Sequence, residues 1–169
     1  NEKVKEEAYQ YQLEQVPNRE RLKVTYVPDS SHYMGLQKLA VTLGVKAATY
    51  DWIMLTDAHT EPLTDRWLAV MSRNCAGKDL VLGYTSIRKD AFLTEPQKED
   101  DFQKFERMLW QLYNLRKAER GTAYSTAGGN LMFRKAMFMK GRGYSGNLKY
   151  TYGEYEFLVN QYAQKDNVA

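Results

Sequence analysis

The chain has 169 residues, 43% of them hydrophobic and 27% charged, with 24 Lys and Arg against 21 Asp and Glu for a net charge of +3. That length suits one domain with a sizeable core, and the composition excludes a disordered tail, a collagen-like repeat and, with Cys75 as the one cysteine, a disulfide scaffold. The two signs of charge interleave, so no basic face for nucleic acid emerges, and no run of about 18 apolar residues offers a membrane span.

The first predicted element is a polar helix over residues 2–15, broken by Pro17 and Asn18. Alternation from Leu22 to Val27 predicts a strand, which Pro28 and Asp29 stop. Leu36, Leu39, Ala40, Leu43 and Ala47 recur at helical spacing and define one apolar face between Gly35 and Thr49. The nearly continuous apolar run 51–56 predicts a central strand covered on both faces. Thr64 is placed to cap a helix whose inward face is Trp67, Leu68, Met71 and Cys75. Residues 79–84 read as another buried strand, and a long helix runs from Pro96 to about Arg120 with Phe102, Phe105, Leu109 and Leu112 inward. Gly121 ends that helix, as suits a left-handed cap. A short strand at 130–133 follows Gly128-Gly129, and a last helix spans about Gly153 to Gln164. Strand and helix alternate through the first half, which predicts an α/β domain with a mostly parallel sheet covered by helices, and residues 1–169 read as a single unit.

The segment from Ile53 to Pro62 carries the chemistry: a buried strand ends at Asp57, and His59 follows two residues later. Open α/β sheets bind ligands beyond the carboxyl ends of their strands, and residues i and i+2 of extended backbone point the same way. Asp57 and His59 are therefore candidate ligands for one divalent cation or contacts for one phosphate; a carboxylate suits Mg²⁺ or Mn²⁺, and imidazole favours Mn²⁺. An Asp closing a turn beside a solvated His satisfies the same spacing.

These residues resemble the metal-binding DxD region of inverting, GT-A-fold family-2 glycosyltransferases. Three further stretches stand in that family's order. Residues 38–48 resemble the helix that precedes the DxD strand. The run Gly128-Gly129-Asn130-Leu131-Met132-Phe133-Arg134-Lys135 resembles the element on the acceptor side of the site. The run from Gly153 to Asn160 resembles the acidic element that holds the catalytic base. The resemblance covers roughly residues 20–165 and implies a GT-A, Rossmann-like fold. It also implies metal-assisted, inverting transfer of a glycosyl group, a hexose type, from a nucleotide-diphosphate sugar to a hydroxyl of a saccharide or lipid-linked acceptor, as in polysaccharide biosynthesis. It assigns Asp57 and His59 to the metal (Mn²⁺ or Mg²⁺), Glu154 and Glu156 to catalysis, and Lys38, Gly128, Gly129, Asn130, Arg134 and Tyr155 to substrate.

The chain departs from the family pattern at two places. His59 stands where the second Asp of DxD would be, and one alignment of the acidic element puts Tyr155 at the position of the base, leaving Glu154 and Glu156, with Glu154 preferred. These changes motivate an alternative, a non-catalytic relative that binds a carbohydrate or nucleotide sugar. No apolar strand precedes residue 22, so the first nucleotide-binding strand of the fold is expected to be missing and the chain to be a fragment of a longer enzyme. The resemblance places that intact enzyme on the cytoplasmic face of the cell membrane, attached through segments absent from this chain, and the fragment itself in solution. The remaining candidates have ordinary structural readings beside the functional one. His32 reads as a loop residue, Trp52, Trp67 and Trp110 as core, Lys38 and Arg134 as phosphate contacts or solvated charges, and Tyr144, Tyr150, Tyr152 and Tyr155 as an acceptor-binding loop.

Overall fold

The computed structural model describes residues 22–27, 35–57, 60–86, 101–126 and 128–169. In chain order these form α1 (Leu36–Ala47), β1 (Trp52–Leu55), α2 (Trp67–Arg73), β2 (Leu80–Leu82), α3 (Asp101–Glu119), β3 (Leu131–Arg134), α4 (Lys135–Lys140) and α5 (Glu154–Tyr162). The expected helix over 2–15, the loop with His32, and residues 96–100 of the expected long helix lie outside the described residues. Residues 22–27, expected as a strand, carry no regular hydrogen bonding; Lys23 Nζ instead reaches the Ala47 carbonyl (3.3 Å) and Thr49 Oγ1 (2.8 Å).

Among the described residues, the expected mostly parallel sheet gives way to an antiparallel one. Three strands lie in the order β1-β3-β2, and β3 pairs antiparallel with both neighbours. β1 and β2 do run the same way, as a β-α-β alternation requires, but β3 enters between them in the opposite direction and takes their hydrogen bonds. One parallel pairing does occur, on the other side of β2. Leu80 N donates to the Asn167 carbonyl (3.0 Å), Ala169 N to the Leu80 carbonyl (3.0 Å) and Leu82 N to the Ala169 carbonyl (2.8 Å).

The pleat divides the core. Leu80, Leu82, Leu131 and Phe133 share one face, with Ile53 and Leu55 beside them, and pack with Val45, Ala118, Phe138, Leu158 and Val159 from the helices. The alternate residues Val81 and Met132 meet Met71 on the opposite face, where Trp52, Met54, Trp67 and Cys75 close around them. β1, expected to be covered on both faces, is only half-buried because it is the outermost of the described strands.

The helices correct three expected faces. In α1 the deeply buried residues are Lys38 and Val45, with Val41 packed between them on the core, whereas Leu36 is exposed. In α2 Leu68 is exposed and Met71 buried; the helix begins after Arg66, and Thr64 shapes the preceding turn by accepting the Arg66 amide (3.2 Å). In α3 the expected core residues Phe102, Phe105, Leu109 and Leu112 all lie about half exposed, and so does Trp110, while Gln111, Asn114 and Ala118 face inward. Gly121 ends α3 in the left-handed conformation, as expected. Among the described residues no helix is long and apolar enough to cross a membrane.

Candidate active site

Asp57 follows the carboxyl end of β1 and is tied to Thr60. The Thr60 amide (3.1 Å) and Thr60 Oγ1 (2.8 Å) both donate to the Asp57 carbonyl, and the Asp57 amide donates to Thr60 Oγ1 (3.1 Å). Part of the turn-closing reading of Asp57 is thus realised, through its backbone, and the side chain is left to act elsewhere. His59 lies outside the described residues.

Across from Asp57, the chain enters β3 through Gly128 (φ 72°) and Gly129 (φ 67°), a conformation that side chains rarely tolerate. The space is also taken. A Cβ on Gly128 would stand 2.7 Å from the Tyr155 ring, and one on Gly129 would stand 3.1 Å from Asp57 Oδ2 and 3.0 Å from Thr60 Cγ2. The two glycines let the backbone press against the carboxylate and the phenol at once.

Tyr155, in the first turn of α5, completes the contact: its hydroxyl donates to Asp57 Oδ1. Desolvation pushes the phenol well above its ordinary pKa, and the hydrogen bond and charge of Asp57 push it further, with a contribution from Glu154; the Gly129 amide opposes them. Tyr155 is therefore a phenol donor at neutral pH, with no basic character. Glu154 precedes it, half-buried, and its carbonyl accepts from the buried Tyr144 hydroxyl (3.1 Å), while Glu156 is exposed. Both acids sit in the first turn of α5, where the helix dipole favours their charge.

Asn130 is buried and both ends of its amide are engaged: Oδ1 accepts from Trp67 Nε1 (3.0 Å) and Nδ2 donates to the Tyr84 carbonyl (2.9 Å). It ties α2 and the end of β2 to the glycine turn, which holds that turn against Asp57. Lys38 is wholly buried, and its ammonium donates to the carbonyls of Asn147 (3.2 Å), Tyr150 (2.8 Å) and Tyr152 (2.8 Å) and to Asn147 Oδ1. Burial lowers its pKa, and the charges of Glu154 and Glu156 oppose that shift. Its donors are spent on the loop that leads into α5. Arg134 lies at the other end of the sheet, the register partner of Trp52; its guanidinium stacks on that indole (4.9 Å), donates to the Lys78 carbonyl (3.1 Å) and pairs with Asp79 (3.5 Å). The structure therefore brings Asp57, Gly128, Gly129 and Tyr155 together, places Glu154 next to Tyr155 in the first turn of α5, and sets Arg134 apart. Of the loop tyrosines, Tyr144 is core, while Tyr150 and Tyr152 are exposed.

Among the described residues no three His, Cys, Asp or Glu side chains gather around a common point. A lone carboxylate with one oxygen taken by Tyr155 does not make a closed protein cage. It does fit a hard cation that keeps most of its ligands as water and phosphate oxygen. Thr60 and Lys38 escaped sequence reasoning as organisers. Thr60 had a signal in its spacing three residues after Asp57, whereas nothing local marks a lysine that will bind a loop more than a hundred residues away.

No curated protein and no solved structure matches the chain. The family model of glycosyl transferase family 2 matches residues 7–141, a span that contains Asp57 and the Gly128-Gly129-Asn130 turn and stops short of α5. With most of its length so matched, the chain belongs to glycosyl transferase family 2.

Proposed function

We propose that this domain transfers a glycosyl group from a nucleotide-diphosphate sugar to an acceptor hydroxyl with inversion, around Asp57. The observation that carries the reading is the convergence at one end of the sheet of a carboxylate, a glycine turn pressed against it, and the first turn of α5, which carries two acids. Asp57, with His59 as a candidate second ligand, would hold a divalent cation, which supplies charge neutralisation to the leaving diphosphate. Glu154 is the base in this reading: it takes the proton of the acceptor hydroxyl as that oxygen bonds to the anomeric carbon and the bond to diphosphate breaks. Glu156, more exposed, is the weaker claimant. Gly128 and Gly129 seat the backbone against Tyr155 and Asp57, and Tyr155 orients the Asp57 carboxylate. Lys38 acts on this site at one remove, through the loop that presents α5.

The test is calorimetry with UDP- and GDP-sugars in the presence of Mn²⁺. Binding is expected for the chain and is expected to lose its metal dependence in Asp57→Ala; an Asp57→Ala variant that binds as before refutes the role of this residue. The Tyr155–Asp57 hydrogen bond favours a second reading, binding without turnover, because it occupies one oxygen of the carboxylate. Product formation that disappears in Glu154→Gln separates the enzyme from the binding module.

A further inference from the structure

One side chain covers both halves of the candidate site. The Tyr155 hydroxyl donates to Asp57 Oδ1, and its ring lies on Gly128, where a Cβ would come within 2.7 Å of two ring carbons. The other carboxylate oxygen, Oδ2, faces Gly129, 3.1 Å from the place a Cβ would take. The carboxylate and the glycine turn thus touch each other and share one cover. Hydrogen bonds to a charged acceptor are among the stronger ones, and here the positive end of the O–H dipole points at the oxygen a cation would use. Hydroxyl and cation therefore oppose each other at Asp57, while the ring keeps other groups off the Gly128 backbone.

The backbone that carries Tyr155 is held from several sides. The Glu154 carbonyl accepts from the buried Tyr144 hydroxyl (3.1 Å), and the carbonyls of Tyr150 and Tyr152 are bound by Lys38 (2.8 Å each). The Phe157 amide closes the first turn of α5 on the Gly153 carbonyl (2.9 Å), and Leu158 and Val159 sit in the core at 0% exposure. Shifting α5 would disturb all of these at once. Turning the Tyr155 side chain about its own bonds gives up the hydrogen bond to Asp57 and the packing of one ring that is already only half-buried. The side chain is the part that moves at least cost.

We propose that Tyr155 is a plug: it closes the site by capping Asp57 and covering Gly128, and it swings aside, with α5 held in place, when a divalent cation and a diphosphate enter. The inference rests on the glycosyl-transfer reading for what enters, and it adds the residue that shuts the site. The bond that orients the carboxylate in the closed arrangement is the one that binding has to break, so the observed affinity is reduced by the fraction of molecules that are closed.

The experiment compares the chain with Tyr155→Phe and Tyr155→Ala by calorimetry, first with Mn²⁺ alone and then with UDP in the presence of Mn²⁺. Tyr155→Phe keeps the ring and removes only the hydroxyl, so Mn²⁺ is expected to bind roughly tenfold more tightly, the value of the surrendered hydrogen bond. A rise from undetectable to measurable binding counts as that gain. Adding Asp57→Ala to Tyr155→Phe is expected to abolish it. Tyr155→Ala removes the cover as well and is expected to tighten UDP beyond Tyr155→Phe; should it fail to fold, Tyr155→Phe carries the test alone. NMR gives a second readout with diamagnetic Mg²⁺ and UDP: the Gly128 and Gly129 amides are expected to shift as the ring leaves them, while the amides of 158–162 stay in place. Mn²⁺ that binds Tyr155→Phe no more tightly than the parent chain, or binds neither, overturns the plug, and weaker binding makes the phenol a lasting support of the carboxylate. A shift of the 158–162 amides as large as that of the glycines overturns the swing of the side chain alone. Mn²⁺-dependent UDP-sugar binding without a gain in Tyr155→Phe removes the plug and leaves the transferase reading standing. A gain for Mn²⁺ in a chain that binds no nucleotide sugar does the reverse.

Discussion

A buried phenol, a half-buried one and a buried ammonium hold the candidate site in place, and each carries a consequence outside the site. Tyr155 and Tyr144 both have pKa values raised above the ordinary 10 by burial, with neighbouring negative charge adding to it. A raised folded pKa stabilises the fold fully below the unfolded value, and that contribution is lost as pH climbs toward the folded value. Stability is therefore expected to stay level near neutrality and to fall above pH 10, where unfolded tyrosines ionise while these two hold their protons. Denaturant melts across alkaline pH check this, and Tyr155→Phe should flatten the decline. An undiminished decline would place its origin in other residues. Lys38 makes the second case. Lys38→Met keeps much of the stem and leaves the carbonyls of Asn147, Tyr150 and Tyr152 without their shared donor. The expected cost is about 2–4 kcal/mol by urea titration, with faster proteolysis inside 147–152.

At the scale of elements, periodicity placed α1, α2, α3 and α5 along the chain, and it misassigned faces wherever a buried polar group outcompeted an apolar one. The reason is specific in each helix. α1 turns Lys38 inward because the loop before α5 supplies four acceptors for it. α3 turns Gln111 inward because Thr85 lies there to bond both ends of its amide, Asn114 follows one turn later on the same side, and the stripe of Phe105, Leu109 and Leu112 is left outside. Hydrophobic spacing reports which residues share a face, and only the partners decide which face is covered. The difference is measurable. Leu109→Gln, on the exposed stripe, is expected to change stability by less than about 1 kcal/mol. Leu158→Ala in α5, at 0% exposure in the core, is expected to cost about 2–5 kcal/mol. Equal losses at the two positions would show that the α3 stripe is covered after all.

For the molecule as a whole, the segments of the candidate site were legible as strand ends and helix starts because their signals are local: a carboxylate at a strand end, a glycine pair before a strand, acids at a helix start. The direction of β3 was not, since no residue in 131–134 states which neighbours the strand will join or which way it will run. Nor was the pairing of residues 167–169, which extend the sheet past β2. That pairing ties the last residues to the strand whose end borders Asn130. Val168, 4% exposed, belongs to the same core as Leu80 and Leu158. Val168→Asp puts a carboxylate into that core with no cation to meet it, and the expected cost is about 3 kcal/mol or more. Because β2, β3 and the glycine turn share one hydrogen-bond network, the loss should appear as a lower cooperative melting temperature for the whole chain. Calorimetry distinguishes the alternatives: one lowered transition supports this coupling, while an unchanged main transition with local fraying of 167–169 would show that the site edge stands without the last strand pairing.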